Sequence, residues 1–327
     1  MTRALVHIHD ESAGISRRKL HGHWAYYDVE GDRITNRDEI DRLNRIGLPP
    51  AYVDAWYAPK ANAHILATGI DARGRKQYRY HPLFSAEQDA HKFEGCTEFG
   101  KLLPRIRARV EDDLKGKGLS QARAIASIVR LLDSGRIRIG NEVYARSNRS
   151  FGATTLLSRH AQLKGGRLTL RFKAKSGKTC EICVTDRGLV RFVKQVQDLP
   201  GQHLFQYVRE DGQVSTIGSS DVNDYVRDAA GADFTAKNFR TWRASALAYE
   251  WLVTQQGGGI KPMLAFVAEH LCNTPAIARK SYVHPALIEK ARSGDDLLGD
   301  GHKLPRKTKW MTRYERGLID FLAHHNG

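Results

Sequence analysis

Sulfur, acidic charge and long apolar runs are all scarce in this chain. Only four cysteines occur in 327 residues, Cys96, Cys180, Cys183 and Cys272. That is too few for a disulfide framework, and a reduced, intracellular setting is expected. Cys180 and Cys183 form a C-x-x-C, but no second C-x-x-C or His pair follows at zinc-finger spacing. Both lie in the strand-like run TCEICVT, so two strand residues are expected there rather than half a metal or redox site. No stretch approaches the roughly 18 apolar residues of a membrane-spanning helix. No apolar core precedes the first charges of MTRALVHIHDESAGISRRKL, so no secretory leader is expected. Acidic residues number 36 against 52 Lys plus Arg, a formal net charge of +16. Such an excess repels itself in a compact state and is expected where the partner is a polyanion; with a membrane set aside, that is nucleic acid.

What is present suffices for a packed core. Hydrophobic residues make up 41% and charged residues 27%, which excludes a mainly disordered chain, and the length suggests two domains. The first eighty or so residues read as mixed β with one helix. HWAYYDV and RIT around EGD read as a hairpin, Asn36 as the cap of a helix over 37–46, and HILATG and RKQYRYH around DARG as a second hairpin. A polar linker is expected after Pro82, in SAEQDAHKFEG. From about residue 100 the periodicity is helical: Ile106, Val110 and Leu114 follow Pro104, which is expected in a first turn, and Ala122, Ile125, Ile128, Val129 and Leu132 follow Ser120. A short antiparallel hairpin, RLTLRFK and TCEICV around Ser176-Gly177, interrupts them. Helices are expected again at about 187–197, 220–230, 235–255, 262–272 and 275–282, with more in the tail. The fold class is α+β: a small N-terminal β-sheet domain with a helix (1–85), then a larger, mainly α catalytic domain containing a small antiparallel hairpin or sheet (86–327).

Four positions stand out as candidates for chemistry. Arg138 follows a helix in GRIRIGNEVYARSNRSFGATTL. Lys175 sits at the hairpin tip. Arg240 lies beside the apolar stripe Phe239, Trp242, Ala246, Tyr249 and Val253, where it can project into a groove. Tyr282 ends NTPAIARKSY, whose Pro275 suits a first turn. Taken singly, each has a plainer reading, since a lone Arg or Lys in so basic a chain is ordinarily a solvated surface residue and a lone Tyr ordinarily packing. Composition alone does not select the set.

Together, in this order, these motifs resemble the catalytic domain of type IB DNA topoisomerases. IGLPPAY and HILATGIDARGRKQYRYH resemble the N-terminal domain of the poxvirus-like bacterial branch. The resemblance covers about residues 14–290. It implies that Arg138 and Arg240 are the catalytic arginines, Lys175 the general acid and Tyr282 the nucleophile. A catalytic His often found nine residues before the tyrosine is here Asn273, as bacterial members resemble this chain in having. An amide can donate to a phosphate oxygen but brings no charge, so a weaker contribution is expected. Gln77, Tyr78 and Tyr80 match residues that touch DNA in the major groove, and Lys76 and Lys237 are further expected DNA contacts.

The implied activity is relaxation of supercoiled duplex DNA by transient cleavage of one strand. The two domains would clamp the duplex, and the DNA downstream of the nick would rotate. Tyrosine attack builds negative charge on the phosphate oxygens, which two guanidinium forks suit. The leaving 5′-oxygen needs a proton, which a lysine among cations can give. The phosphotyrosyl link keeps the bond energy, so neither ATP nor a metal is expected to be required, with Mg²⁺ at most stimulating turnover. A monomer acting in the cytoplasm, on the bacterial nucleoid, is expected. Two other readings stand beside this one. A tyrosine recombinase would share the constellation, but typically carries His three residues before the second arginine, where this chain has Lys237. A non-catalytic DNA-binding protein would explain the charge but not the matched set.

Overall fold

In the computed structural model, residues 4–325 are described, except 21, 73, 256–258, 295–296 and 298–302. The chain divides into two compact units, Met1–Lys92 and Phe93–Gly327.

The first unit is built on an antiparallel sheet of β1 (Ile15–Leu20), β2 (His23–Tyr27), β3 (Val53–Tyr57), β4 (Ile65–Ile70) and β5 (Lys76–Tyr80), in the order β2-β1-β3-β4-β5. Helix α1 (Arg37–Arg45) starts where Asn36 accepts from the Glu39 amide at 3.1 Å, and places Leu43 among Ile15, Tyr26, Leu48, Tyr57 and Ala67. The β4–β5 hairpin forms as expected, with Ile70 opposite Lys76; Arg73 of its turn lies outside the described residues.

The first expected hairpin is corrected. HWAYY pairs with the preceding ISRRKL, from Ser16↔Tyr27 to Leu20↔His23, whereas Arg33 makes only a single bridge to Tyr27. The charges of β1 hide its strand character because its arginines serve as covering side chains. The Arg17 guanidinium lies 4.2 Å from the Trp24 ring and Arg18 lies 4.6 Å from Tyr27. Arg17 also donates to the carbonyls of Leu48, Pro49 and Tyr52, which ties the IGLPPAY loop to the sheet. The expected linker after Pro82 is instead helix α2 (Pro82–Glu94). Its residues are polar, but Ala, Glu, Gln and Lys are also strong helix formers.

The second unit is mainly helical: α3 (Cys96–Lys115), α4 (Gln121–Asp133), α5 (Glu142–Asn148), α6 (Arg187–Val196), α7 (Ser219–Ala230), α8 (Ala236–Gln255), α9 (Ile260–His270), α10 (Pro275–Ser281), α11 (Pro285–Ser293) and α12 (Arg313–His325). The expected hairpin is part of a three-stranded antiparallel sheet, β6 (Ala161–Lys164), β7 (Arg167–Lys173) and β8 (Thr179–Val184); β9 (Gln206–Val208) and β10 (Val214–Thr216) pair separately. Pro104 is inside α3 rather than in its first turn. The buried face continues upstream through Cys96, Phe99 and Leu103, and that packing outweighs the cost of an interior proline, about 3 kcal/mol for its missing bond and ring clash together. In α8, Phe239, Trp242, Ala246 and Tyr249 are buried as the stripe requires. No helix among the described residues is long and apolar enough to cross a membrane.

The tail carries more than its sequence suggested. Helix α12 packs on α3 and α8 through a buried ion cluster. Arg107 of α3 donates to Asp133 (2.8 Å twice), to Glu315 of α12 (2.7 and 3.2 Å) and to the Trp310 carbonyl. Glu315, 1% exposed, also accepts from Trp242 Nε1 (3.2 Å) and the Thr312 amide (2.9 Å). Burial pushes its carboxyl pKa up, but Arg107 and the other donors bring it below the ordinary value. Glu315→Ala is expected to destabilise the protein by about 3 kcal/mol, because Arg107 keeps only part of its compensation and Trp242 loses its acceptor. Thermal and urea melts check this against Asp224→Ala, which breaks an exposed pair with Arg227 and is expected to change stability by roughly 1 kcal/mol or less. Equal effects would contradict the assignment.

Candidate active site

The site forms where the ends of three helices meet α8. The chain leaves α4 through Ser134 into Gly135, whose φ of +71° is left-handed; a Cβ there would also lie 2.5 Å from the Arg243 side chain. Arg138 follows three residues on. Its segment is held by bonds from the Ala153 amide to the Arg138 carbonyl and from the Thr154 amide to the Ile139 carbonyl, both 2.8 Å. Gly140 and Gly152 cross at that point, and a Cβ on Gly152 would come within 2.5 Å of the Gly140 backbone. The GRIRIG and FGATT motifs therefore lock one another and fix where Arg138 starts.

Helix α9 ends at Leu271, Cys272 takes a left-handed φ of +51°, and the Asn273 amide returns to the Ala268 carbonyl at 2.8 Å. Thr274 then caps α10, accepting from the Ile277 amide, with Pro275 in the first turn. Tyr282 closes that helix. Ser245 of α8, fully buried, fixes the backbone there from both sides: its hydroxyl donates to the Tyr282 carbonyl (3.3 Å) and accepts from the His284 amide (3.1 Å).

Arg240 rises from α8 into this junction. It does not project into an open groove, as the sequence suggested, but is 4% exposed. Nη1 donates to the Gly135 carbonyl at 2.6 Å and Nη2 to the Leu271 carbonyl. Its guanidinium carbon lies 5.1 Å from the centre of the Tyr282 ring. Arg138 Nη2 donates to Asn273 Oδ1 at 2.7 Å. Four of the five expected catalytic residues, Arg138, Arg240, Asn273 and Tyr282, thus share one junction.

The electrostatics follow from that crowding. Burial, then the charge of Arg138, pushes Arg240 down to about 10, still cationic at neutral pH. Burial raises the phenol of Tyr282, but the nearby charges of Arg138 and then Arg240 outweigh it and leave Tyr282 below the ordinary tyrosine value. Among the described residues, two buried donors at the centre find no acceptor: Arg240 Nε and Asn273 Nδ2.

Lys175 stands apart. It lies in the exposed turn between β7 and β8, and among the described residues no hydrogen bond or ion pair joins it to the other four. The lysine that reaches them is Lys178, on the other side of the Ser-Gly turn, whose Nζ donates to the Asn273 carbonyl at 2.7 Å. The only trace of it in the sequence is the doubled lysine of AKSGK. Cys180 and Cys183 are both in β8, as expected, one buried and one exposed. Cys180 is instead next to Cys272. Among the described residues no group of three or more His, Cys, Asp or Glu side chains could share a metal ion.

The expected DNA contacts of the first unit lie on the edge strand β5. Lys76, Tyr78 and Tyr80 share one face by strand alternation, and the two tyrosine rings stack 5.8 Å apart, both well exposed. Lys76 is paired with Asp10 at 2.7 Å. Gln77 alternates to the opposite face and donates to Asp71 (3.1 Å), so it does not join the tyrosines. Lys237 is exposed in the first turn of α8.

Comparison with known proteins covers both units. A family model described as the catalytic core of eukaryotic DNA topoisomerase I matches residues 76–286, and one described as the N-terminal domain of bacterial DNA topoisomerase IB matches residues 23–71. DNA topoisomerase 1B of Acanthamoeba polyphaga mimivirus is 30% identical over 291 residues, 84% of this chain and 87% of that protein. DNA topoisomerase 1B of vaccinia virus (strain Copenhagen) is 20% identical over 254 residues, 75% of this chain and 78% of that one. A solved XerH site-specific recombinase bound to difH substrate is similar at a TM-score of 0.34 and 17% identity over 57% of this chain and half of that one, too distant to carry an argument. The two family models and the mimivirus relative agree: the chain belongs to the type IB DNA topoisomerase family.

Proposed function

We propose that this enzyme acts as a monomer on supercoiled duplex DNA, at the bacterial nucleoid in the cytoplasm, with Tyr282 as its nucleophile and no required metal or nucleotide. The observation that carries the reading is the pair of acceptor-less buried donors, Arg240 Nε and Asn273 Nδ2, beside a phenol that two arginines hold below its ordinary pKa. A phosphodiester supplies the anionic oxygens those donors lack.

In this reading the Tyr282 oxygen attacks phosphorus, the bond to the 5′-oxygen breaks, and a 3′-phosphotyrosyl link forms. Arg240 already spends two N–H groups on the Gly135 and Leu271 carbonyls, which leaves it rigidly aimed, with Nε for the phosphate. Arg138 exchanges its bond to Asn273 for a phosphate oxygen, and Asn273 contributes its neutral amide. Lys175 protonates the leaving 5′-oxygen; its exposed turn belongs to the same hairpin as Lys178, which reaches Asn273. Resealing is the reverse reaction, so the link itself supplies the energy. Lys76, Tyr78 and Tyr80 meet the DNA from one face of β5, Gln77 contributes less, and Lys237 meets a phosphate.

Tyr282→Phe removes one oxygen and is expected to bind DNA normally while losing both plasmid relaxation and the covalent adduct; relaxation by this variant would exclude Tyr282. The unaltered enzyme should relax plasmid in EDTA without ATP, and strict dependence on Mg²⁺ or ATP would sink the mechanism. A substrate with sulfur in place of the 5′-bridging oxygen separates the two cations. Lys175→Ala should be slow on normal DNA and recover on the sulfur substrate, whose leaving group scarcely needs an acid. Arg240→Ala should stay slow on both, by about 10²–10³-fold if it resembles loss of an oxyanion donor. Equal rescue of both variants, or none for Lys175→Ala, would move the proton donor elsewhere, with Lys178 and Lys237 the next to test.

A further inference from the structure

Two sulfur atoms meet at the rim of the site. Cys180, buried in β8, and Cys272, after α9, are 92 residues apart in sequence, yet their Sγ atoms lie 2.6 Å apart, both as free thiols. A disulfide, with its bond of about 2.05 Å, is a displacement of roughly half an ångström away. The left-handed backbone of Cys272 costs a residue with a Cβ roughly 1–2 kcal/mol, and helix ends usually give that place to Gly or Asn. A cysteine there bears the strain and brings its sulfur to Cys180.

The two thiols are unequal. Cys180 Sγ–H donates toward Cys272, and this bond contributes most to holding Cys272 below the ordinary thiol value. Burial opposes it, and the charges of Arg240, Arg136 and Lys178 add to the lowering. The same bond and burial push Cys180 up. Cys272, partly exposed, is therefore the more readily ionised of the two, and Cys180 the thiol that can resolve it.

We propose that Cys180 and Cys272 are a peroxide-oxidisable pair whose disulfide restrains the turn that carries Asn273. The Cys272 thiolate attacks one oxygen of hydrogen peroxide, the O–O bond breaks, and hydroxide leaves, taking up a proton to become water. Cys272 is left as a sulfenic acid. The sulfur of Cys180 then attacks it, the S–O bond breaks, and the departing hydroxide takes the Cys180 proton as a second water. Two thiols and one peroxide become one disulfide and two waters; the sulfurs lose two electrons in all and the peroxide gains them.

The turn at 271–273 supplies three acceptors to the site: Leu271 O to Arg240, Asn273 Oδ1 to Arg138, and Asn273 O to Lys178. Drawing Cys272 toward β8 shifts all three, and a misplacement of about 1 Å can cost on the order of 10²-fold in rate. Disulfide formation adds no negative charge beside Arg240, so DNA binding does not weaken. Strand cleavage slows while affinity holds. This consequence rests on the proposed function, whereas the disulfide itself does not.

The test uses the full-length reduced chain, treated with hydrogen peroxide and freed of excess. Peptide mass analysis should find Cys180 linked to Cys272 with loss of two hydrogens. Single-turnover adduct formation should slow by about tenfold, DNA affinity should be unchanged or tighter, and dithiothreitol should restore the rate. The double variant Cys180→Ser/Cys272→Ser, which keeps Cys96 and Cys183, should show no peroxide effect on the rate. Absence of the 180–272 link, a link that leaves cleavage unchanged, or equal slowing of the double variant overturns the proposal. Should the reduced chain form no adduct at all, the proposed function fails, and the peptide masses and the melting temperature of the oxidised chain still decide whether the pair forms.

Discussion

A buried guanidinium organises the second unit. Arg240 is almost wholly removed from water, and an unpaired charge in that position would cost several kcal/mol. Among the described residues its compensation comes from two main-chain carbonyls, Gly135 at the end of α4 and Leu271 at the end of α9, rather than from a carboxylate. Helix C-termini carry partial negative charge, so two of them directed at one cation stabilise it without neutralising it. A carboxylate would have cancelled the field that Tyr282 feels. At 5.1 Å and an effective dielectric near 20, a unit charge acts on the phenol with on the order of 3 kcal/mol.

The rest of the unit keeps that cation in place. Trp242, two residues along α8, is fully buried and donates to Glu315, so the last helix of the chain braces the helix that carries Arg240. Ser245, one turn further on, fixes the Tyr282 backbone. One helix thus holds the cation, the brace and the backbone of Tyr282 within six residues, and the distance between arginine and phenol is set by α8 more than by either loop.

Much of this was legible in the sequence because it is local. The α8 stripe, the Ser120 and Asn36 caps, the β4–β5 hairpin and the Pro275 start of α10 each follow from a few neighbouring residues. The site was legible through the order of its motifs, and Arg138, Arg240, Asn273 and Tyr282 do meet. What stayed hidden depends on partners far along the chain. An arginine beside an apolar stripe reads as solvated until carbonyls 105 and 31 residues away are seen to receive it. Lys178 reads as one more surface lysine until Asn273, 95 residues on, accepts from it. Cys180 and Cys183 read as two strand residues, and alternation does send them to opposite faces, but nothing local shows that Cys272 arrives from another helix to meet Cys180. The charges of ISRRKL concealed a strand because arginine can cover aromatic rings, and the polarity of SAEQDAHKFEG suggested a linker where strong helix formers make a helix.

In the proposed function the field of Arg138 and Arg240 makes Tyr282 the residue that takes up DNA. The most direct measurement is to trap the adduct of the unaltered enzyme in denaturant, digest the DNA to a stub and the protein with trypsin, and fragment the labelled peptide. Cleavage after Lys280 and Lys290 isolates residues 281–290, which contain a single tyrosine. A nucleotide mass on that peptide, localised to Tyr282, is the result this account predicts. A stub on any other tyrosine would contradict it.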